Sequence, residues 1–232
     1  MQENKGTLYI VSTPIGNLKD ITFRAIDTLK LVTFIAAEDT RHTKKLLNHY
    51  NIDTKMISYF EHNRVRRIPK IIGLLESGTD IALVTDAGTP GISDPAYKLI
   101  RSAIRNDIRV IPIPGPSAVL AALVASGLPT DRFLFVGFLP PKKGRRKKLS
   151  DLASHEATLI FYENPKRVVK TLSDIAAFLG DRPAVVCRDL TKLHEEIIRG
   201  TVSEVLSYFS QESPRGECVI MIGKDDPNVY FG

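Results

Sequence analysis

The residues of this chain best suited to chemistry lie in short polar segments that follow apolar runs. Ile81-Ala82-Leu83-Val84 leads into Asp86-Ala87-Gly88-Thr89-Pro90-Gly91. Glycines lack a Cβ, so a ligand can come close to the backbone there, and the amides can hydrogen-bond a nucleoside or a carboxylate. Leu8-Tyr9-Ile10-Val11 ends likewise in Thr13-Pro14-Ile15-Gly16-Asn17, and Phe34-Ile35-Ala36-Ala37 in Glu38-Asp39-Thr40-Arg41. Val110 to Ile113 stops at Pro114-Gly115-Pro116. One such segment is an ordinary strand-to-helix turn. Several in one chain, each at the end of an apolar run, argue for a ligand gathered beyond the carboxyl ends of strands.

Other chemistries have less support. There is no G-x-G-x-x-G after a strand and no G-x-x-x-x-G-K-[ST], which disfavours an ordinary NAD enzyme or a P-loop NTPase. His42 and His49 could share a helix face, but no further ligand falls at metal spacing, and His62, His155 and His194 stand apart, so no metal site is expected. Cys187 and Cys218 lie inside apolar runs and read as small core residues without chemical roles. Two cysteines exclude a disulfide scaffold.

The elements that position these segments follow from hydrophobic pattern and punctuation. Strands are expected at 8–11, 34–37, 56–60, 81–84 and 110–113, alternating with helices at 22–30, to about 48, 66–77 and 95–106. Asp94 reads as the N-cap of the last, with Pro95 at its first position. Helix 117–126 and strand 133–138 follow, then a helix near 146–153, strand 158–162, helix 165–179, strand 184–187, an extended piece at Ile197-Ile198, helix 202–210 and strand 218–222. Continuous apolar strands alternating with helices give an α/β fold with sheets covered on both faces. The Pro-rich joint at 112–117 divides the chain into two domains, 1–114 and 115–232.

Composition fits a globular protein: 232 residues, 43% hydrophobic and 25% charged. The longest apolar stretch, Ala118 to Leu128, is short of the ~18 residues of a membrane span. The first ten residues carry no basic start and apolar core of a signal peptide. A soluble protein of a reducing cytoplasm is expected. The net charge is +6, and Lys142-Lys143-Gly144-Arg145-Arg146-Lys147-Lys148 carries six positive charges, so the excess reads as local. Placed on a loop after Pro140-Pro141, these charges repel one another, and a polyanion would relieve the repulsion by releasing counterions. No amphipathic helix accompanies the run, so RNA or DNA fits better than a membrane. Arg64, Arg66 and Arg67 form a second basic cluster, ahead of Lys70.

Five segments taken together carry a resemblance. They are Ser12 to Leu18, Ala37 to Arg41, Asp86 to Pro95, Pro114 to Ala118, and Leu190-Thr191-Lys192-Leu193-His194-Glu195-Glu196. In order and spacing they resemble the ribosomal RNA branch of the tetrapyrrole methylase superfamily of S-adenosylmethionine (SAM) methyltransferases. The likeness runs from about Gly6 to Gly223. It implies a bacterial cytoplasmic enzyme that methylates a cytidine ribose 2′-oxygen in 16S rRNA or the 30S subunit. It also implies two α/β domains with SAM in the cleft between them, and a homodimer. By motif, the resemblance places the cofactor against Pro14, Asp86, Ala87, Gly88, Thr89 and Ile92. Ser117, Ala118, Phe161, Tyr162, Leu190 and the turn from Pro214 to Gly216 match further cofactor-lining segments. Many members have Gly-Asp-Pro where this chain has Gly88-Thr89-Pro90, and Glu-Ser-Pro-His-Arg where it has Glu163-Asn164-Pro165-Lys166-Arg167.

Methyl transfer from SAM is an in-line displacement, so holding methyl and acceptor in line is the main task. A ribose hydroxyl is a weak nucleophile, and a base, or a cation beside the forming alkoxide, would help it. The candidates at strand ends are Glu38, Asp39, Arg41, Glu163, Lys192 and Glu195, and the sequence does not choose among them. A salt bridge between domains or subunits is the plain alternative for any one. Lys142, Lys143, Arg145, Arg146, Lys147 and Lys148, with Arg64, Arg66 and Arg67, are the candidate RNA contacts.

Overall fold

A computed structural model describes residues 5–211 and 215–231. The chain forms two compact units, Met1–Ser117 and Ala118–Gly232. The division falls three residues beyond the boundary read from the sequence, because Pro114 to Ser117 stays with the first sheet through Pro116.

The first unit is a five-stranded sheet. Its strands are β1 (Thr7–Val11), β2 (Phe34–Ala37), β3 (Lys55–Ser58), β4 (Ile81–Val84) and β5 (Arg109–Ile113), in the order β3-β2-β4-β1-β5. Every pairing is parallel. Four α-helices connect them: α1 (Phe23–Leu31), α2 (Thr40–His49), α3 (Arg64–Glu76) and α4 (Ala96–Arg105). The pleat sends successive side chains to opposite faces, which sorts the apolar residues into two cores. Leu8, Ile10, Ile81 and Leu83 pack with Ile71, Leu75, Leu99 and Ala103 of α3 and α4. Val11, Ile35, Ala82 and Val84 pack with Ala25, Leu29, Leu46 and Leu47 of α1 and α2. Thus α1 and α2 cover one face and α3 and α4 the other. Asp94 lies one residue outside the cap position expected for it. The helix begins at Ala96 with Pro95 in the cap position, and the Asp94 carboxylate accepts from Ala96 N at 2.7 Å and from Gly91 N.

The second unit holds β6 (Phe133–Phe138), β7 (Thr158–Glu163), β8 (Pro183–Arg188), β9 (Glu196–Thr201) and β10 (Cys218–Ile222), in the order β6-β7-β10-β8-β9. Only β6 and β7 are parallel; the other three pairings are antiparallel. The extended piece at Ile197-Ile198 is a six-residue edge strand. Leu159, Phe161, Val186 and Ile220 pack under α6 (Arg145–Leu152), α7 (Val168–Leu179) and α8 (Val202–Gln211). Against the sheet also lies α5 (Ala118–Ser126), whose Val119, Ala122 and Leu123 are buried.

The run 142–148 is a loop only in its first half, and the helix expected near 146–153, α6, begins at Arg145. Arg145 turns inward because an acidic partner awaits it there.

Candidate functional site

In the first unit the polar strand ends meet at one place. Adjacent strands β1 and β4 send their onward chain to opposite faces, α1 on one side and α4 on the other, which makes their carboxyl ends the switch point of the sheet. The two loops are joined there by a two-residue bridge. Thr13 N donates to Gly88 O at 2.9 Å and Gly88 N to Thr13 O at 3.0 Å. Gly88 holds φ +78°, a conformation L side chains rarely adopt, so the bridge needs glycine here. Ser93, at φ +68°, completes the turn without that excuse.

Side chains tie the neighbouring segments to this bridge. Ser12 Oγ lies 2.9 Å from Thr89 Oγ1, which donates to Pro116 O at 3.1 Å. Thr13 Oγ1 donates to Thr85 O. Thr85 Oγ1 donates to Glu38 Oε2 at 2.7 Å, and Asp39 N donates to Asp86 Oδ1 at 3.0 Å. The ends of β1, β2, β4 and β5 are therefore one hydrogen-bonded lattice. Ala87 and Ile92 are exposed on it; Asp86, Thr89 and Ser117 are half-buried; Pro14 is buried. Of the candidate groups, Glu38, Asp39 and Asp86 come together. Asp39 is paired with exposed Arg41 at 2.8 Å, and the hydrogen bond from that guanidinium holds its carboxyl far below the usual range. A carboxylate so held is a poor base.

In the second unit the carboxyl ends of β7 and β8 and the start of β10 lie side by side, with Cys218 opposite both Glu163 and Arg188. Tyr162 is half-buried, its ring edge-on to Phe135 at 4.9 Å, and burial pushes its hydroxyl up. Beyond β8 the backbone is strained: Asp189 takes φ +48° and Thr191, a β-branched residue, +68°. Asp189 N donates to Glu217 O, and Glu217 N to Asp189 Oδ1. The Asp189 carboxylate fills the space a Cβ on Gly216 would need. Lys192 Nζ sits 3.1 Å from Asp189 Oδ1 and 2.9 Å from Glu217 Oε2. Partial burial pulls the Lys192 ammonium down, but its bonds to Glu217 and Asp189 win and hold it above the usual lysine value. Exposed Glu195 accepts from Thr191 N at 2.6 Å. Leu190 is buried. Asp189 and Glu217 were not singled out from the sequence; an acid directly after an apolar strand was the available signal. Pro214 lies outside the described residues.

Three expected site residues need correction. The Phe161 ring is fully buried among Leu159, Leu172 and Ile220, so it presents no surface to a ligand. Glu163 is no strand-end base. Its side chain is 1% exposed and accepts from Thr171 Oγ1 at 2.6 Å and from Asn164 N at 2.8 Å. Arg145 is no phosphate contact. Its side chain is 5% exposed, with Nε 2.6 Å from Asp174 Oδ2, Nη2 donating to Thr171 Oγ1 at 2.7 Å, and Nη1 3.9 Å from Glu163. Arg167 closes the network at 3.4 Å from Glu163. A charge this deep is kept only where opposite charge and hydrogen bonds meet it.

The other basic residues of the run stay exposed: Lys142, Lys143, Arg146, Lys147 and Lys148. Arg146 lies over the Phe178 ring at 5.6 Å. In the second basic cluster Arg66 is exposed, Arg64 is paired with Glu61, and the half-buried Arg67 has its Nε shut off from solvent without a partner. Both cysteines are buried, and desolvation pushes each thiol up to about 12.

The tetrapyrrole (corrin/porphyrin) methylase model matches residues 7–206, more than half of the chain, with all of the first sheet and four of the five strands of the second. This chain belongs to the tetrapyrrole methylase family. Solved structures of other members share the fold. Uroporphyrin-III-C-methyltransferase from Thermus thermophilus superposes with a TM-score of 0.68 at 17% identity over 95% of both chains. A cobalt precorrin-4 methyltransferase gives 0.70 at 19% over 94% of both. In sequence the chain is much nearer to other family members. It is 53% identical to ribosomal RNA small subunit methyltransferase I of Halalkalibacterium halodurans, over 97% of this chain and 78% of that protein. The proteins of that name from Synechocystis (52%, 94% and 79%) and Bacillus subtilis (50%, 98% and 79%) are similar to the same degree.

Proposed function

We propose that this protein transfers the methyl group of SAM to the ribose 2′-oxygen of a cytidine in 16S rRNA. The acceptor in this reading is the 30S subunit, and the enzyme works as a cytoplasmic homodimer. Its family makes it a SAM-dependent methyltransferase. The observation that carries the choice of acceptor is identity of 50–53% over nearly the whole chain to proteins named for the small ribosomal subunit, against 17–19% to members named for tetrapyrroles. No described helix is long and apolar enough to cross a membrane.

The lattice at the end of β1 and β4 fits SAM. The Gly88 turn brings backbone close to the ligand, the hydroxyls of Ser12 and Thr89 sit beside it, and Asp86 and Glu38 offer carboxylate oxygens to ribose hydroxyls. When bound, SAM supplies an electrophilic methyl on a sulfonium. Lys192, held protonated by Asp189 and Glu217, serves as a cation beside a developing alkoxide or a phosphate rather than as a base. With Glu163 locked in its network and Asp39 held by Arg41, Glu38 and Glu195 are the carboxylates left to accept a proton. The exposed Lys142, Lys143, Arg146, Lys147 and Lys148, with Arg64, Arg66 and Arg67, hold RNA phosphates, which positions the acceptor without reading its bases.

The test is incubation with methyl-labelled SAM and purified 30S subunits or naked 16S rRNA, followed by mapping of the label. The expected product is one 2′-O-methylated cytidine. Label on a base, or transfer to a porphyrin and to neither RNA, would overturn the reading.

A further inference from the structure

The positive excess is less local than the sequence run suggests. Residues 1–117 hold sixteen Lys and Arg against twelve Asp and Glu, a net +4. Residues 118–232 hold sixteen against fourteen, a net +2, although they include the whole run 142–148. Two-thirds of the excess is therefore in the unit that lacks that run.

Much of it is gathered on α4. The sequence of this helix, AYKLIRSAIR, contains three cations and no acid. Ala96, Leu99 and Ala103 are buried against the sheet. Helical spacing then puts Lys98, Arg101 and Arg105 in one row on the opposite side, over two turns or about 10 Å. All three are exposed, and among the described residues none lies within ion-pair distance of a carboxylate. Tyr97 stands in the same row, 52% exposed. Arg101 Nη1 donates to its hydroxyl at 2.8 Å and Lys98 Nζ lies 5.8 Å from its ring centre. Arg101 also draws the hydroxyl below the usual tyrosine range. A row of unpaired cations costs self-repulsion unless something anionic meets it.

We infer that the exposed face of α4 is a phosphate-backbone surface for structured RNA, separate from the run 142–148. The inference rests on the proposed RNA acceptor and extends it to a face of the first unit. Lys98, Arg101 and Arg105 displace counterions from successive phosphates, and Tyr97 packs its ring against a sugar or base between them. Such contacts hold the RNA in place and carry no sequence information.

The test neutralises the row as K98Q/R101Q/R105Q. All three side chains are exposed, so the fold is retained and checked by thermal melting. A control, K19Q/R24Q/K30Q, removes the same charge from the α1 side of the unit. Affinity for purified 30S subunits and for a short RNA duplex is measured across a potassium chloride series, with SAM affinity alongside. The α4 variant is expected to flatten the slope of log K against log salt by roughly two to three, with SAM affinity unchanged and the control near wild type. An unchanged slope in the α4 variant, with a wild-type enzyme that methylates 30S subunits, would overturn this inference and leave the proposed reaction standing. Equal flattening in both variants would assign the effect to net charge and overturn it too. So would loss of binding to phosphatidylglycerol vesicles with RNA binding intact. A wild-type protein that neither binds nor methylates RNA would overturn both readings together.

Discussion

At the scale of single residues, Gly88 and Cys187 show two different constraints. Gly88 is held by conformation rather than by crowding. The nearest atom to a Cβ there, Ile15 Cγ2, is at 3.4 Å, an ordinary contact, but φ is +78°. Gly88→Val adds a branched side chain in that conformation and costs about 1–2 kcal/mol of strain. It also places two methyls in the turn proposed to hold SAM, beside Ile15 and Pro116. SAM binding is expected to vanish in calorimetry while the thermal transition survives at lower temperature. A folded variant that binds SAM as wild type would move the cofactor away from this loop. Cys187 is constrained by burial. Its folded pKa of about 12 stands above the ~8.5 of an unfolded thiol, so its contribution to stability is intact below about pH 8.5 and is lost as pH rises towards 12. Cys187→Ala should flatten the loss of stability across that window in urea titrations and leave specific activity unchanged. An identical alkaline slope would contradict the burial argument.

At the scale of elements, α6 carries two kinds of cation on one short helix. Its first residue, Arg145, faces Asp174, Thr171 and Glu163, while Arg146, Lys147 and Lys148 face water. Neutralising them should have opposite consequences. Arg145→Met leaves Asp174 without its cation and Glu163 with Arg167 alone, and should cost about 3–5 kcal/mol in chemical denaturation. Lys148→Gln should change stability by less than about 0.5 kcal/mol and reduce the salt slope of RNA binding by about one. A stable Arg145→Met protein with a reduced salt slope would return Arg145 to the RNA surface. The strained turn after β8 belongs to the same scale. Asp189 and Thr191 keep left-handed backbone because Glu217, Lys192 and Glu195 bond to the turn from several sides.

At the scale of the whole molecule, the hydrophobic cores respect the division of the chain. Both cores of the first unit are built from residues before Ser117, and the core under α6, α7 and α8 from residues after it. Each unit buries its own sheet, so residues 1–117 expressed alone should fold, with a cooperative thermal transition and helical circular dichroism. A fragment that stays unfolded or aggregates would mean that the first sheet depends on the second unit.

What the sequence determined by itself is whatever local pattern and charge dictate. Strands buried on both faces are continuous apolar runs, so β1, β2, β4 and β10 were placed to within a residue. Glycine after β4 announced the tight turn there because tolerance of positive φ is a property of the residue itself. The family was legible because the strand-end motifs keep their order along nearly the whole chain. Tertiary structure alone decided the rest. Strand order and the mixed pairing of the second sheet depend on contacts far apart in sequence, and β10 inserts between β7 and β8 with no local signal. The switch point, and with it the meeting of Thr13 with Gly88, exists only once β1 and β4 are neighbours. Arg145 and Lys148 are alike as charges in a basic run. Which of them stays in water and which meets Glu163 was settled by the side of α6 that faces the core, and by the energy of burying a carboxylate that needs a cation.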